Sequence, residues 1–363
     1  MNWKFRAKKQ ENQPKKSLLR EWLDAALFAL IASTIIRGLL FSAYAIPSGS
    51  MEGTLLTGDY LFVSKIAYGP RMPFTPLAVP FLEYTVANDS VKTYWDGVKL
   101  PYFRLPGLSA IKNGDIVVFN KPEETDKPVD VRTLLIKRCQ ALPGDRLTIV
   151  NGQVFVNGKA NSNAKEAQTS YAVEMNNREL NPKTFQDLHI EVRQQLAENT
   201  FEMIIPTENL AVLKSYSNIK SIKPVAEPKG EYDAQVFPHN ERFKWNEDNF
   251  GPLVLPKSGM TILLNDSTMT LYSRAISLYE NNKLETNGKD ILINGKKASS
   301  YTFKMNYYWM MGDNRHNSLD SRFWGYVPED HVIGKAMITW MSVDSAASAL
   351  NQIRWNRILK VIK

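Results

Sequence analysis

The sequence predicts a mainly β protein that starts with one N-terminal transmembrane helix and contains an inserted α/β subdomain. Three features indicate this fold class. Residues 25–36 form an uncharged apolar run, strand-like alternation with turn signals dominates from Ser42 onward, and residues 160–245 are more polar and mixed. With 363 residues, 44% of them hydrophobic, the chain is long enough for a sizeable core and too apolar to be disordered.

The N-terminal segment is strongly basic. Residues 1–20 hold seven lysines and arginines against one acid, Glu11. Such a cluster could bind nucleic acid, but next to an apolar segment it more often sets membrane orientation. We therefore expect residues 1–20 to be a basic cytoplasmic N-terminus with no nucleic-acid partner. The chain after about residue 40 should then lie on the outer, periplasmic or extracytoplasmic, side of the cell membrane.

The apolar run predicts a transmembrane anchor at residues 21–38. Arg37 interrupts the run, and Glu21 and Asp24 flank its start. A bilayer needs about 20 helical residues, so this helix spans only if those charges lie at the interfaces. A buried or interfacial helix is the alternative. A cleaved signal sequence fits less well, because cleavage near Ala45 would leave the next stretch at the new N-terminus.

That next stretch, residues 46–55, carries two closely spaced serines. Pro47 favours an extended backbone, and residues two apart in an extended chain share a face. The hydroxyls of Ser48 and Ser50 should therefore lie side by side, and Gly49 between them lets another backbone approach. Two such hydroxyls could act as a nucleophile and a neighbouring hydrogen-bond donor. A polar turn that leaves a helix is the alternative.

A second informative stretch, residues 134–141, alternates as a β-strand. Lys137 falls on a face that is otherwise apolar. Desolvation disfavours the ammonium form, so a lysine in such surroundings loses its proton more easily. The neighbouring Arg138 could not do so, because a guanidinium stays protonated. The alternative is that Lys137 extends its amine to solvent.

A third stretch, residues 312–322, is dense in side chains that bond to backbone and to each other. Asp320 and Arg322 can form a charge-assisted pair that fixes the loop. Gly312 indicates a place where another group approaches closely. Taken alone, this segment would be an ordinary polar loop.

The remaining elements follow from alternation and turn residues. We predict strands at 61–63, 115–119 and 334–343, a hairpin at 147–156 that turns at Asn151-Gly152, and a helix near 185–197. Residues 39–159 and 291–345 would form one β domain, interrupted by an inserted subdomain at 160–290. Residues 346–363 form a basic C-terminal segment that could lie on the membrane surface or dock back onto the domain.

Cysteine and histidine usage narrows the chemistry. The chain has a single cysteine, Cys139, so no intrachain disulfide can form. The cysteine count therefore does not indicate whether the protein lies inside or outside the cell. The histidines are widely separated and lack the spacing of metal ligands. They are His189, His239, His316 and His331. We therefore predict neither a metal site nor a cofactor.

The three stretches contain Pro-Ser-Gly-Ser-Met, Lys-Arg-(x3)-Leu-Pro-Gly-Asp and Gly-Asp-Asn-Arg-x-Asn-Ser-x-Asp-Ser-Arg, in that order. In this the chain resembles the type I signal peptidases (leader peptidases), membrane-bound serine endopeptidases that use a Ser–Lys dyad. The resemblance implies an antiparallel two-sheet catalytic domain at residues 39–159 and 291–345. It also implies that the enzyme removes N-terminal signal peptides from secreted preproteins through an acyl-enzyme.

By the same resemblance, Ser50 would be the nucleophile and Lys137 the general base. Ser48 would contribute its hydroxyl to the oxyanion hole, and Ser318 would hold the Lys137 amine in position. Residues expected to support the site structurally are Gly312, Asp313, Asp320 and Arg322.

Two positions depart from the family pattern. Gly53 stands where the family often has proline, which would loosen the turn after the nucleophile. His316 stands where the family usually has aspartate. A Ser–His pair that uses His316 is a weaker alternative to the dyad, because no third group is evidently placed to orient the imidazole.

The implied partners are membrane lipid and secretory preproteins whose signal peptides carry small residues before the cleavage point. We expect a monomer. Two other functions stay open at this point. The chain could be a membrane-anchored, non-enzymatic β-rich assembly or binding protein, or a self-cleaving regulator that keeps the dyad.

Overall fold

The computed structural model describes residues 17–78, 85–86, 91–162, 164–176, 182–288, 290–344, 347 and 352–362. Most of the predicted basic N-terminus, residues 1–16, lies outside the described residues, as do parts of the C-terminal segment. The described chain is built mainly from antiparallel strands, with an apolar helix at its start. The mainly β prediction is confirmed.

The helices lie at α1 (Leu18–Ile35), α2 (Pro182–Asp187), α3 (Leu210–Lys214), α4 (Asp266–Arg274) and α5 (Ser321–Trp324), and π-helical turns at Ile36–Leu40 and Ala275–Tyr279 extend α1 and α4. The strands are β1 (Phe41–Ala45), β2 (Asp59–Ser64), β3 (Thr85–Val86), β4 (Val91–Lys92), β5 (Ile116–Asn120), β6 (Leu134–Ala141), β7 (Arg146–Val150), β8 (Gln153–Val156), β9 (Lys159–Ala160), β10 (Gln168–Met175), β11 (Glu191–Ala197), β12 (Thr200–Pro206), β13 (Ile219–Pro224), β14 (Phe250–Val254), β15 (Thr261–Leu263), β16 (Leu284–Asn287), β17 (Asp290–Ile293), β18 (Lys296–Lys297), β19 (Ser300–Thr302), β20 (Tyr307–Met311), β21 (Val327–Pro328), β22 (Val332–Ser342) and β23 (Lys360–Val361).

The N-terminal helix is long and apolar enough to cross a membrane. Together with its π-turn it covers Leu18–Leu40, 23 residues with a mean hydropathy of 1.8 over its most apolar window, and no part of that window is buried. It therefore begins before residue 21 and ends after residue 38, the limits of the predicted anchor. Arg37 falls in the last turn, next to the start of β1, and so lies at the end of the apolar run.

The largest sheet positions all three informative stretches. Its strands follow the order β1-β2-β22-β5-β6-β20-β21, and β23 pairs with β22. The turn with Ser50 connects β1 to β2, Lys137 lies on β6, and the 312–322 loop follows β20. Because β6 lies between β5 and β20, residues far apart in sequence meet at its C-terminal half.

The predicted hairpin at 147–156 is confirmed and starts a second sheet. Strands β7 and β8 pair around Asn151-Gly152, with Asn151 at a φ of 48° and Gly152 at 77°, as a tight hairpin turn requires. The sheet has the order β14-β7-β8-β9. Its buried face packs into the main apolar cluster with Trp309 and Tyr307 of β20.

The inserted region contains a sheet with its own apolar core. Strands β10 to β13 form the order β11-β12-β10-β13 around buried residues that include Val173, Met203 and Ile205. The helix predicted near 185–197 is wrong beyond its first residues, because α2 ends at Asp187 and residues 191–197 form β11. Those residues are mostly good helix formers, but pairing with β12 overrides that preference.

Candidate active site

Ser50 lies in a short 3₁₀ turn, Gly49–Met51, between β1 and β2. Ser48, which precedes the turn, is extended and exposed. The prediction that Ser48 and Ser50 lie on one face of a strand is therefore wrong. The 312–322 loop imposes the turn, since Asn314 donates its backbone N–H to the Ser50 carbonyl oxygen at 3.2 Å and its side-chain amide to the Gly49 carbonyl oxygen at 3.2 Å.

Lys137 lies on β6 with its amine directed at this turn. Its Nζ donates a short hydrogen bond to Ser50 Oγ. The side chain is almost wholly buried, with the residue 3% exposed. Burial lowers the pKa of Lys137 to about 8, the charge of Asp320 acts in the opposite direction, and the charge of Arg322 lowers it further. The amine is therefore easier to deprotonate than an ordinary lysine, as the alternation of β6 predicted.

A buried ion pair fixes the 312–322 loop. Arg322 Nε lies 2.9 Å from Asp320 Oδ1, and its Nη2 lies 2.9 Å from Asp320 Oδ2. Asp320 Oδ2 also accepts from the Gly312 backbone N–H at 3.1 Å. Burial opposes ionisation of Asp320, but the charge and hydrogen bonds of Arg322 outweigh it and lower the carboxyl pKa. The predicted charge-assisted pair is confirmed.

Gly312 allows the loop to approach the Ser50 turn. A Cβ at this position would lie 2.2 Å from Ser318 Oγ and 2.5 Å from the Ser50 carbonyl oxygen, so no side chain fits. Ser318 is therefore next to Ser50 but is not bonded to Lys137 in the described contacts. Its hydroxyl lies 3.5 Å from the Leu319 carbonyl oxygen. The expected contact between Ser318 and the lysine amine stays a prediction.

A second buried ion pair, between Arg138 and Asp313, was missed by the sequence argument. Arg138 Nε lies 2.8 Å from Asp313 Oδ1, and its Nη2 lies 2.7 Å from Asp313 Oδ2. Thr54, on the turn after Ser50, donates its hydroxyl to Asp313 Oδ2 at 2.6 Å. This network joins the three stretches on the side of β6 opposite Lys137. The alternation of β6 indicates only that Arg138 lies on the face opposite Lys137. Its burial, which requires a carboxylate partner, is seen only in the fold.

The C-terminal segment docks back onto the same turn. Arg357 is buried, and its Nε lies 2.9 Å from Asp59 Oδ1 while its Nη2 donates to the Thr54 carbonyl oxygen at 3.0 Å. Trp355 and Leu359, on either side, stay exposed. The C-terminal segment was expected either to lie on the membrane surface or to dock onto the domain, and Arg357 docks onto the domain.

Among the described residues, one group of possible metal-ligating side chains lies close together. It consists of Glu247, Asp248 and His316, whose ligand atoms lie within 4.8 Å of one another. His316 bonds with Asp248 and with residues of β10, whereas Ser50 bonds with Lys137. The geometry therefore favours the Ser–Lys pair over the Ser–His alternative.

Comparison with known proteins decides the family. A sequence model described as "Signal peptidase, peptidase S26" matches residues 19–218 and 258–341, which is more than half of the chain. The chain belongs to this family. It is a serine peptidase of the signal-peptide-processing class, so the non-enzymatic alternative is not supported. With its apolar N-terminal helix, membership in the family indicates a membrane protein.

Curated relatives carry the same assignment. The chain is 29% identical over 310 residues to Signal peptidase I of Buchnera aphidicola subsp. Schizaphis graminum, covering 85% of this chain and 71% of the relative. It is 28% identical over 360 residues to Signal peptidase I of Buchnera aphidicola subsp. Acyrthosiphon pisum, and the match covers 98% of this chain and 86% of the relative. For Signal peptidase I of Haemophilus influenzae, identity is 23% over 345 residues, with 94% and 76% covered.

We predict that Arg138→Met lowers the free energy of unfolding by about 3–5 kcal/mol, because it leaves the Asp313 carboxylate buried without its cation. Denaturant unfolding of the full chain in detergent measures this. Arg146→Met, at an exposed arginine on β7, is the matched control and should change stability by less than about 0.5 kcal/mol. Equal stability of the two variants would show that the ion pair does not hold the stretches together.

Proposed function

We propose that Ser50 is the nucleophile and Lys137 the general base with which this signal peptidase cleaves secretory preproteins at the membrane surface. The observation that carries the proposal is the hydrogen bond between a buried, easily deprotonated amine and the Ser50 hydroxyl. A serine hydroxyl is a poor nucleophile until a neighbouring base takes its proton. Lys137 is such a base, and Ser–Lys pairs are a recognised variant of the serine hydrolase arrangement.

The reaction follows from this pair. Ser50 Oγ attacks the scissile carbonyl carbon while its proton moves to Lys137 Nζ, which gives a tetrahedral intermediate and an ammonium. The ammonium then protonates the leaving amine as the C–N bond breaks, and an ester to Ser50 remains. The neutral amine next takes a proton from a water that attacks the ester, and it returns this proton to Ser50 as the signal peptide leaves.

The acidity of Lys137 sets the fraction of active enzyme. With a pKa of about 8, roughly a tenth of the molecules hold the neutral amine at pH 7, against fewer than about one in a thousand for an ordinary lysine. A bound peptide would cover the amine further and raise that fraction, because desolvation disfavours the charge.

The oxyanion would be bound by the Ser48 hydroxyl and the Ser50 backbone N–H. Ser48 immediately precedes the turn and is exposed, so its hydroxyl is open to a substrate carbonyl. Ser318, which lies against the Gly312 backbone beside Ser50, would orient the amine once the lysine releases its proton. Gly312, Asp313, Asp320 and Arg322 would hold these groups in place without contact with the substrate.

The substrate would be held at the membrane. β1 begins directly after the π-turn that ends the apolar helix, and Lys65 Nζ donates to the Arg37 carbonyl oxygen at 2.8 Å. This bond ties the β domain to the end of the anchor. Exposed aromatic side chains on β1 and β2, Phe41, Tyr60 and Phe62, present an apolar surface near the anchor. Such a surface suits the lipid interface.

We propose that the active site lies outside the cytoplasm. The enzyme would cleave the preprotein after a small residue that has a second small residue two positions before it. The basic residues before the anchor support this orientation. We further propose that residues 39–159 and 291–345 form the catalytic domain and residues 160–290 the insertion. The enzyme would be a monomer.

The dyad is tested with purified full-length enzyme in detergent and a preprotein substrate. Ser50→Ala and Lys137→Met should each lower kcat by about 10³-fold or more, because each removes an indispensable partner of the proton transfer. Circular dichroism and thermal unfolding confirm that each variant is folded.

Matched controls are Ser300→Ala and Lys229→Met, which remove the same groups from exposed positions. These should cleave at the wild-type rate. Wild-type cleavage by either dyad variant would contradict the proposed roles.

Orientation is tested by cysteine labelling in spheroplasts. We predict that Lys296→Cys, at an exposed position of β18, reacts with a membrane-impermeant maleimide without permeabilisation. The native Cys139 is buried and gives the background. Labelling that appears only after the membrane is permeabilised would place the β domain in the cytoplasm.

A further inference from the structure

His316 is hydrogen-bonded at both ring nitrogens. Its Nδ1 lies 3.1 Å from the Ser170 backbone nitrogen and 2.8 Å from Thr169 Oγ1, both on β10. Its Nε2 lies 3.1 Å from Asp248 Oδ1 and 3.2 Å from Oδ2. We call these contacts the His316 link. They join the 312–322 loop to two parts of the inserted region, β10 on one side and the segment before β14 on the other.

The partners fix the state of the ring. A backbone N–H can only donate, so Nδ1 must accept the bond from Ser170 and carries no proton. Nε2 then carries the proton of the neutral ring and donates it to Asp248. A metal ion at Nε2 would need the lone pair that this proton occupies. The cluster of His316, Asp248 and Glu247 is therefore built for hydrogen bonding rather than for a metal.

Asp248 is a rigid partner. It is 2% exposed, and its Oδ2 also accepts from the Glu227 backbone N–H at 3.0 Å. Its carbonyl oxygen accepts from the Gly152 backbone N–H at 2.9 Å, at the turn of the β7–β8 hairpin. His316 is thus held against a fixed part of the β domain as well as against β10.

The link acts on the Ser50 turn through the loop. His316 lies in the 3₁₀ turn Arg315–Asn317, two residues after Asn314, which donates to the Ser50 carbonyl oxygen. Gln168, at the start of β10, donates its backbone N–H to the Asp313 carbonyl oxygen at 2.9 Å. Holding His316 therefore holds Asn314, and Asn314 fixes the backbone that carries Ser50.

The surrounding charges explain why histidine suits this position. Glu247 Oε1 lies 3.9 Å from His316 Nε2, and the other oxygen of Glu247 lies 3.3 Å from Arg322 Nη1. The aspartate that the family usually has here would face Asp248 and Glu247, and like charges at such distances repel. Both acids lie in residues 219–257, which the family model does not match.

We propose that His316 is a positioning residue, which uses Asp248 from this unmatched segment to hold the 312–322 loop and, through it, Ser50 in its reactive geometry. The inference rests on the proposed role of Ser50. It assigns to the inserted region a part in catalysis without contact with the reacting atoms.

The test compares two substitutions in the full-length enzyme in detergent. Glutamine can accept from Ser170 through Oε1 and donate to Asp248 through Nε2, whereas leucine can do neither. We expect His316→Leu to lower kcat about tenfold with KM changed less than about twofold, because a small misplacement of reacting groups is costly. His316→Gln should recover most of that loss, and the pH midpoint of kcat should stay the same in both.

Hydrogen exchange gives a readout that does not depend on cleavage. In His316→Leu, amides of residues 312–320 should exchange at least about tenfold faster, while those of the β7–β8 hairpin stay unchanged. His239→Asn, at an exposed histidine with positive φ, is the control and should change neither exchange nor kcat.

Wild-type kcat in His316→Leu, failure of glutamine to recover activity, or unchanged exchange of the loop would overturn the inference. A loss of thermal stability in step with activity would also overturn it, since that indicates a purely structural role. If the wild-type enzyme fails to cleave the preprotein, the proposed function fails, and the exchange data still decide whether the link holds the loop.

Discussion

The structure depends on keeping one lysine amine out of water beside one serine hydroxyl. Lys137 is buried on the interior strand β6, and burial rather than a nearby cation is the main reason that its pKa falls. A histidine can act as a base near pH 7 without burial, because its ordinary pKa is about 6.5. The pKa of a lysine must fall by roughly two to three from its ordinary value before the amine can act as a base there. The surrounding fold therefore has to bury Lys137 and also hold Ser50 within hydrogen-bond distance of its amine.

Ionic networks bring the separate stretches together around that amine. The pairs Arg138–Asp313, Arg322–Asp320 and Arg357–Asp59 are each buried, and each joins or stiffens segments next to Ser50. Buried ion pairs contribute little net stability compared with apolar packing, but removing one partner is costly. They therefore serve better to fix one geometry than to increase stability. The charges of two of these acids, Asp320 and Asp313, raise the pKa of Lys137 and so partly oppose the effect of burial.

Sequence patterns predicted several strands and the contact between Asp320 and Arg322 better than they predicted local backbone geometry. The alternation of β6 placed Lys137 on a buried face, and the Asp320–Arg322 pair followed from two residues within one short loop. The turn at Gly49 could not be predicted locally, because Asn314 imposes it from a distant part of the chain. Arg138 was dismissed because it cannot act as a base, although its burial required a partner such as Asp313.

The contacts of the inserted region with His316 could not be predicted from the sequence. Nothing in the pattern of residues 160–245 indicated chemistry, and Asp248 follows it without a recognisable motif. Only the fold brings Asp248, Ser170 and His316 together. His316, a departure from the family pattern, thus lies in contact with the part of the chain that the family model does not match.

Direct titration of Lys137 measures whether its amine is deprotonated far more easily than that of an ordinary lysine. The enzyme would be labelled with ¹³C-lysine, and the ε-methylene signal of Lys137 would be identified by its loss in Lys137→Met and followed against pH by NMR. The signal should shift as neutral amine accumulates with rising pH, and because Lys137 is buried we expect the midpoint at about 8. A midpoint near the ordinary value of about 10.4 would show that the amine stays charged at neutral pH and that Lys137 cannot serve as the general base there.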